Sequence, residues 1–160
     1  AAKGNGTLAR FIRDHRDRNL LIIGENGKCK TRAAAYNLLL EAKGGKRCRF
    51  CDYPELALEY AAAMQKSAQE GLDFVRELLR QSDILLIDDI AKRKLNETGG
   101  ELLYRLVNAV YEGAATRLWI TSNKDLAPLL QRFENGDTGD AVISRFDRLI
   151  DDERMSIYRV

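Results

Sequence analysis

The run Leu20-Leu21-Ile22-Ile23 leads directly into Gly24-Glu25-Asn26-Gly27-Lys28-Cys29-Lys30-Thr31, which leads directly into Arg32-Ala33-Ala34-Ala35-Tyr36-Asn37-Leu38-Leu39-Leu40. These three pieces read as a strand, a tight loop and a helix. The loop fits G-x-x-x-x-G-K-[ST] at every position but one, because Cys29 stands where the second glycine belongs. A chance Gly-Lys turn before a helix is the plain alternative, and the flanking strand, the helix and a second motif downstream argue against it. In such a loop, consecutive backbone N–H groups line a concave nest and the helix start adds partial positive charge. Gly24, Glu25, Asn26, Gly27, Lys28, Cys29, Lys30, Thr31 and Arg32 are therefore the candidate residues for holding the phosphates of ATP or ADP. Lys30 is expected to reach the β- and γ-phosphates, and the Thr31 hydroxyl to ligate Mg²⁺. Gly24 and Gly27 are expected to let the backbone approach phosphate oxygens. Cys29 brings a Cβ to a position where φ is often positive, a strain of about 1–2 kcal/mol.

A strand–loop–helix of this kind needs a sheet to stand in, and the rest of the chain supplies one. Thr7 reads as the cap of a short helix through Arg16, and strands are expected at Asn19–Ile23, Arg47–Cys51, Asp83–Ile87, Thr116–Thr121 and Met155–Val160. The helix after the loop should run to Ala42 and stop at Gly44-Gly45. Pro54–Gln81 has helical periodicity with a break expected near Gly71, and Glu97–Glu112 reads as a helix ending at Gly113. Asp125–Phe133 reads as a short helix, Glu134–Asp140 as a polar turn, and Ala141–Arg148 as the last helix. Strands alternating with helices predict an α/β fold of three layers with a mostly parallel five-stranded sheet, residues 1–160 forming one domain. Ligands of such sheets bind beyond the carboxyl ends of the strands.

The chain has 160 residues and a net charge of +2, which is enough for one core and makes no strong statement about partners. No apolar run approaches the roughly 20 residues of a membrane span. Without a signal-peptide pattern the expected location is the cytoplasm. Cys48 and Cys51 have C-x-x-C spacing, but only Cys29 and the lone His15 could complete a zinc site, so small apolar residues of a buried strand are the simpler reading. His15, in a charged helix end, reads as solvated. Cys29 lies at a helix start between two lysines, where a thiol pKa is expected to fall; plain substitution and a redox-sensitive site both remain open.

Two further strand ends and the last helix carry polar groups. Ile84-Leu85-Leu86-Ile87 ends in Asp88-Asp89, the Walker B pattern. Asp88 is expected to hold Mg²⁺, directly or through water, and Asp89 to orient or deprotonate the attacking water. A strand merely ended by polar residues is the alternative. Leu118-Trp119-Ile120 ends in Thr121-Ser122-Asn123, where Asn123 reads either as a sensor of the γ-phosphate or as part of a helix-capping run. In Ser144-Arg145-Phe146-Asp147-Arg148, Arg145 reads as a finger reaching a phosphate held by a neighbouring subunit, with Arg148 in reserve; a salt bridge to Asp140 or Asp147 is the alternative.

With these four motifs in order, the chain resembles the AAA+ ATPases, and more narrowly the helicase loaders of the DnaC type and the transposition helper ATPases of the IstB type. The resemblance covers Leu20 to Arg148 and rests on Leu86-Ile87-Asp88-Asp89-Ile90, Leu95-Asn96-Glu97-Thr98 before Leu102-Leu103-Tyr104, Ile120-Thr121-Ser122-Asn123, and Ser144-Arg145-Phe146. It implies a slow ATPase that uses ATP and Mg²⁺, contacts single-stranded DNA and places a replicative DNA helicase on it, self-associating through the trans arginine. It also implies nucleotide ligands at Gly24, Lys30 and Thr31, Mg²⁺ and water residues at Asp88 and Asp89, the first sensor at Asn123 and the finger at Arg145. The sequence departs from the pattern at Cys29, and the residues after Arg148 are too few for the small helical lid of many AAA+ proteins. Lys43, Lys46, Arg47 and Arg49 around the second strand, and Lys92-Arg93-Lys94 after the third, are candidate DNA contacts with Tyr53 to stack on a base; solvated loops are the alternative. A nucleotide-binding adaptor without turnover, a helper of transposition on duplex DNA and a small-molecule kinase are the rival functions.

Overall fold

The computed structural model describes residues 2–160. Five strands, β1 (Asn19–Ile23), β2 (Cys48–Asp52), β3 (Ile84–Asp88), β4 (Arg117–Ser122) and β5 (Met155–Arg159), form one sheet in the order β2-β3-β4-β1-β5. Every neighbouring pair is parallel, with Leu20 opposite Trp119, Asn19 opposite Met155, Cys48 opposite Ile84 and Ile84 opposite Arg117. Because side chains alternate along a strand, β1 serves both faces. Leu20 and Ile22 join Leu8, Ile12, Ala34, Leu86 and Trp119 under helices α1 (Ala2–Asp14) and α2 (Lys30–Lys43). Leu21 and Ile23 join Leu85, Ile87, Leu118 and Ile120 on the opposite face. There they meet α3 (Tyr53–Lys66), α4 (Ala68–Arg80), α5 (Glu97–Tyr111), the short α6 (Leu126–Leu130) and α7 (Gly136–Asp151). These are the expected three layers, and the middles of the central strands are apolar because both faces are covered.

The chain leaves β1 over the α2 face to reach β2, then returns through β3 and β4 over the other face and steps past β1 to β5. The connections therefore part beside β1, and a crevice opens at the carboxyl ends of β1, β3 and β4.

Four local expectations are corrected. Helix α1 begins at Ala2, so Thr7 lies within it; Gly4 and Gly6 are weak helix formers, but Leu8 and Ile12 bury the helix face against the sheet. The break between α3 and α4 is at Ser67, whose Oγ accepts the Glu70 N–H, not at Gly71. Gly71 sits inside α4 where it passes close to Met64; a Cβ there would meet the Met64 sulfur at 2.1 Å. Helix α7 starts at Gly136, because Asn135 accepts the N–H groups of Asp137 and Thr138 and so converts the expected polar turn into a first helical turn. Lastly, β2 is an edge strand with Arg49 and Phe50 exposed. Of its two cysteines only Cys51 is fully buried, and burial pushes the pKa of both thiols up, away from reactivity.

Candidate phosphate-binding site

The loop after β1 is anchored on both sides. The Gly24 N–H donates to the Ser122 carbonyl at 3.0 Å, and the Val160 N–H donates to the Ile23 carbonyl at 2.7 Å. Gly24 is required by packing: a Cβ there would lie 2.9 Å from the Val160 Cβ and 3.6 Å from the Lys30 side chain. Glu25, Asn26, Gly27 and Lys28 form an exposed turn. Gly27 has φ +83°, and Cys29 takes the left-handed conformation at φ 59°, ψ 29°, as expected for the position where a glycine is usual.

Cys29 is the N-cap of α2 and makes no side-chain bond to the helix amides. The caps of α3, α4, α5, α6 and α7 are Asp52, Ser67, Asn96, Asp125 and Asn135, and each accepts an N–H with its side chain. Helix α2 alone among these opens on bare amides with the positive end of its dipole, a ready site for an anion. Arg32 lies in its exposed first turn.

Below the loop, polar groups converge. Lys30 is only 8% exposed, and its Nζ donates to the Glu25 carbonyl at 3.0 Å. Burial lowers its pKa, opposed by the charges of Asp89 and Asp88. The Thr31 hydroxyl donates to Asp88 Oδ1 at 2.7 Å, and the Thr121 hydroxyl donates to the same oxygen at 2.7 Å. The Asp89 N–H in turn donates to Thr121 Oγ1 at 2.9 Å. Asp89 itself has φ 68°. Burial, then the adjacent Asp88, raises its carboxyl pKa, while Lys92 and Lys30 oppose the rise. Together Gly27, Cys29, Lys30, Thr31, Asp89 and Thr121 border a hollow of about 280 Å³. The Thr31 hydroxyl and the Asp88 carboxylate are hard oxygen donors brought to one point, which fits Mg²⁺ shared with phosphate oxygens and water.

Asn123 stands at the next strand end. Its Oδ1 is buried without a hydrogen-bond partner among the described residues. It is not the helix cap: Asp125 caps α6, and Ser122 closes the intervening turn by bonding Lys124 through its hydroxyl. Arg145 is placed elsewhere, on α7 facing α5. Its Nε donates to Asn108 Oδ1 at 3.1 Å, and its guanidinium lies 5.8 Å from the Tyr104 ring centre and 5.1 Å from that of Tyr111. In its own chain it therefore joins α5 and does not form the alternative ion pair with Asp140 or Asp147. Arg148 is exposed.

Three features of the site carry no role in the sequence reading, which names Thr121 only as part of a polar strand end. Thr121 and the left-handed turn at Asp89 emerge only when β3 and β4 pair. Asp52, opposite Asp88 in the sheet, adds a third carboxylate whose charge helps raise the Asp89 pKa. A hydroxyl inside an apolar strand was the available signal for Thr121.

The basic residues do not form one track. Lys43, Lys46 and Arg47 lie near the amino ends of β2 and β3, whereas Lys92, Arg93 and Lys94 follow the carboxyl end of β3, a strand length of roughly 17 Å away. Arg47 is committed to Asp83 at 3.0 Å and Arg49 to Glu59 at 3.7 Å. Tyr53 cannot stack on a base: it is buried, and its hydroxyl donates to the Gly99 carbonyl. His15 is not merely solvated, since it stacks on Phe11 at 4.2 Å between ring centres. Among the described residues, no helix is long and apolar enough to cross a membrane.

Comparison with known proteins places this geometry in context. The model of the IstB-like ATP binding protein family matches residues 6–155. A Pseudomonas aeruginosa protein of insertion sequence IS21, which carries the name of an ATP-binding protein, is 28% identical over 131 residues, 81% of this chain and 47% of the relative. The chain thus spans about half the length of that relative. Among solved structures, the DnaC helicase loader has a TM-score of 0.72 at 22% identity, covering 96% of this chain and 86% of that one. AMPPCP-bound DnaA from Aquifex aeolicus has a TM-score of 0.75 at 18% identity, covering 98% of this chain and 46% of that one. Both likenesses show the fold, a parallel α/β sheet of this kind.

Proposed function

The chain belongs to the IstB-like ATP-binding family, and from that premise we propose that it is a slow ATPase domain that helps place a replicative DNA helicase on single-stranded DNA. The observation that carries the ATPase reading is the convergence of the Thr31 and Thr121 hydroxyls on Asp88, directly beneath the bare start of α2. In this reading the amides from Gly27 to Thr31 hold the β- and γ-phosphates, with Lys30 neutralising their charge. Thr31 and Asp88 would hold Mg²⁺, which when bound supplies charge neutralisation to the transferring phosphoryl group. Asp89 accepts a proton from water as its oxygen attacks the γ-phosphorus; the bond to the β-phosphate oxygen breaks, giving ADP and phosphate. A carboxyl whose pKa is raised is better matched to that task than an ordinary one. Asn123 contacts the γ-phosphate or the attacking water.

Helicase loading is supported by the likeness to the DnaC helicase loader, which extends over 86% of that chain. DNA contact is supported at a groove of about 140 Å³ where Pro54, Leu58 and Ala61 of α3 face Arg93 and Lys94. Leu58 is 67% exposed there. Arg145 is proposed to act on the phosphate held by a second copy, exchanging its own-chain contacts with Asn108, Tyr104 and Tyr111 for that phosphate. The site of action is the cytoplasm. A second reading, a helper ATPase of transposition acting on duplex DNA, is favoured by the family match and by the IS21 relative.

Calorimetric titration of ATP and ADP into wild type and Lys30→Ala tests the shared core. Wild type should bind both, and the variant should lose about 2–5 kcal/mol, roughly thirtyfold or more in affinity. No heat in wild type ends the ATPase reading. Steady-state hydrolysis with single-stranded or duplex DNA at fixed salt then separates the two roles: stimulation by single strands supports loading, and preference for duplex supports transposition.

A further inference from the structure

We infer that Thr121 is a positioning residue that sets both strand-end acids, Asp88 and Asp89, through one side-chain hydroxyl. The regular pairing of β3 with β4 ends at Ile87 and Ile120. Beyond that point β3 must leave the sheet, and Thr121 takes over from the ladder. Its hydroxyl uses its single hydrogen on Asp88 Oδ1 at 2.7 Å and accepts the Asp89 N–H at 2.9 Å. Its carbonyl accepts the Ile90 N–H at 3.1 Å. One residue thus holds three consecutive positions of the exit turn.

The residue is 1% exposed, so its hydroxyl bonds are shielded by the surrounding protein. Asp89, at φ 68°, occupies a conformation that L residues avoid, and its N–H is tied to the Thr121 oxygen while it does so. Asp88 is fixed from two sides, by Thr31 from α2 and by Thr121 from β4, both on Oδ1. Carboxylate rotation is thereby restricted, and Oδ2 carries neither of these bonds. A hydroxyl in this place orients the metal-holding acid by hydrogen-bonding to it, the way outer partners tune ligands in other metal sites.

The inference rests on the reading of the loop as a nucleotide–Mg²⁺ site, and its test separates the two. ATP affinity is measured with Mg²⁺ and with a chelator, for wild type, Thr121→Val and Thr121→Ser, beside thermal unfolding of each. Valine keeps the shape and removes the hydroxyl; serine keeps the hydroxyl. Thr121→Val should bind metal-free ATP within about twofold of wild type while losing roughly 10–100-fold of the affinity gained on adding Mg²⁺. Thr121→Ser should restore that gain. In turnover with Mg²⁺, Thr121→Val should lower kcat and Thr121→Ser should restore it. An undiminished Mg²⁺ gain in Thr121→Val, or a serine variant as impaired as the valine one, overturns the inference while leaving the site reading intact. If Thr121→Val does not fold, Thr121→Ala against Thr121→Ser makes the same comparison. Wild type that binds no nucleotide in either condition overturns the site reading and this inference together.

Discussion

The two ends of β3 carry acids in opposite condition. At the amino end, Asp83 accepts the Arg47 N–H at 2.8 Å and its guanidinium at 3.0 Å, and these bonds bring its pKa down to about 2. Past the carboxyl end, Asp89 is turned into a left-handed conformation, and burial and Asp88 push its pKa up. Five residues of the same strand lie between them. A charge whose needs are met within the fold closes a loop and stabilises it. A charge left short of partners costs stability and is kept where a ligand or a reaction will use it.

The helix starts repeat the contrast. Asn96 satisfies the first turn of α5, while Cys29 leaves that of α2 open. Satisfied and open polar groups thus occur on otherwise similar elements.

The sharpest break of this contrast is Asp89→Asn. Asparagine tolerates the left-handed backbone but cannot take a proton from water. Hydrolysis should fall by roughly 10²–10⁴ while nucleotide affinity stays within a few-fold. Unchanged turnover in a steady-state assay removes Asp89 from the chemistry.

The same variant should also be more stable than wild type at pH 7. A carboxyl with a raised folded pKa binds its proton more tightly in the fold, so its ionised form costs stability at neutral pH. That cost disappears as pH falls through the folded pKa toward 3.8, and below it the two unfolding curves should merge. Thermal unfolding from pH 3 to 7 checks this; a variant less stable at pH 7 contradicts it.

Cys29→Gly should relieve the left-handed Cβ and raise stability by about 1 kcal/mol. Nucleotide affinity should hold or improve. An unchanged Tm shows that the cysteine sits there without strain.

The smallest effect is expected from Asp83→Asn, whose carboxylate is half-exposed. Its lowered pKa gives a contribution present above pH 3.8 and lost as pH falls toward about 2. The variant should therefore be slightly less stable at pH 7, equal to wild type near pH 2, and unaltered in nucleotide binding. A change in ATP affinity would mean that the two ends of β3 are coupled.

Much of this was legible in the chain. The strands were found within one or two residues because a buried parallel sheet demands continuous apolar runs, and Ile84–Ile87 and Leu118–Ile120 supply them. Gly27, Cys29, Lys30, Thr31, Asp88 and Asp89 were named from spacing alone; the structure sets all but Asp88 around one hollow and ties Asp88 to it through Thr31. The misses share a cause. Ser67 and Asn135 begin helices because of bonds to their own amides, which look like any polar turn in sequence. Tyr53 looked available to a base because its burial depends on α5, 46 residues away in the chain.

Local sequence determined where the phosphate loop would stand, since a strand of small-menu dihedrals, a turn and a helix are set by neighbours only a few residues apart. It also determined which residue types would carry the chemistry. Only the packed sheet decided how they are held, because Thr31, Asp88 and Thr121 lie 57 and 33 residues apart and meet through side-chain bonds that exist only when β1, β3 and β4 are in register. The Asp89 pKa belongs to the same level: burial and neighbouring charges set it, and both are properties of three-dimensional placement.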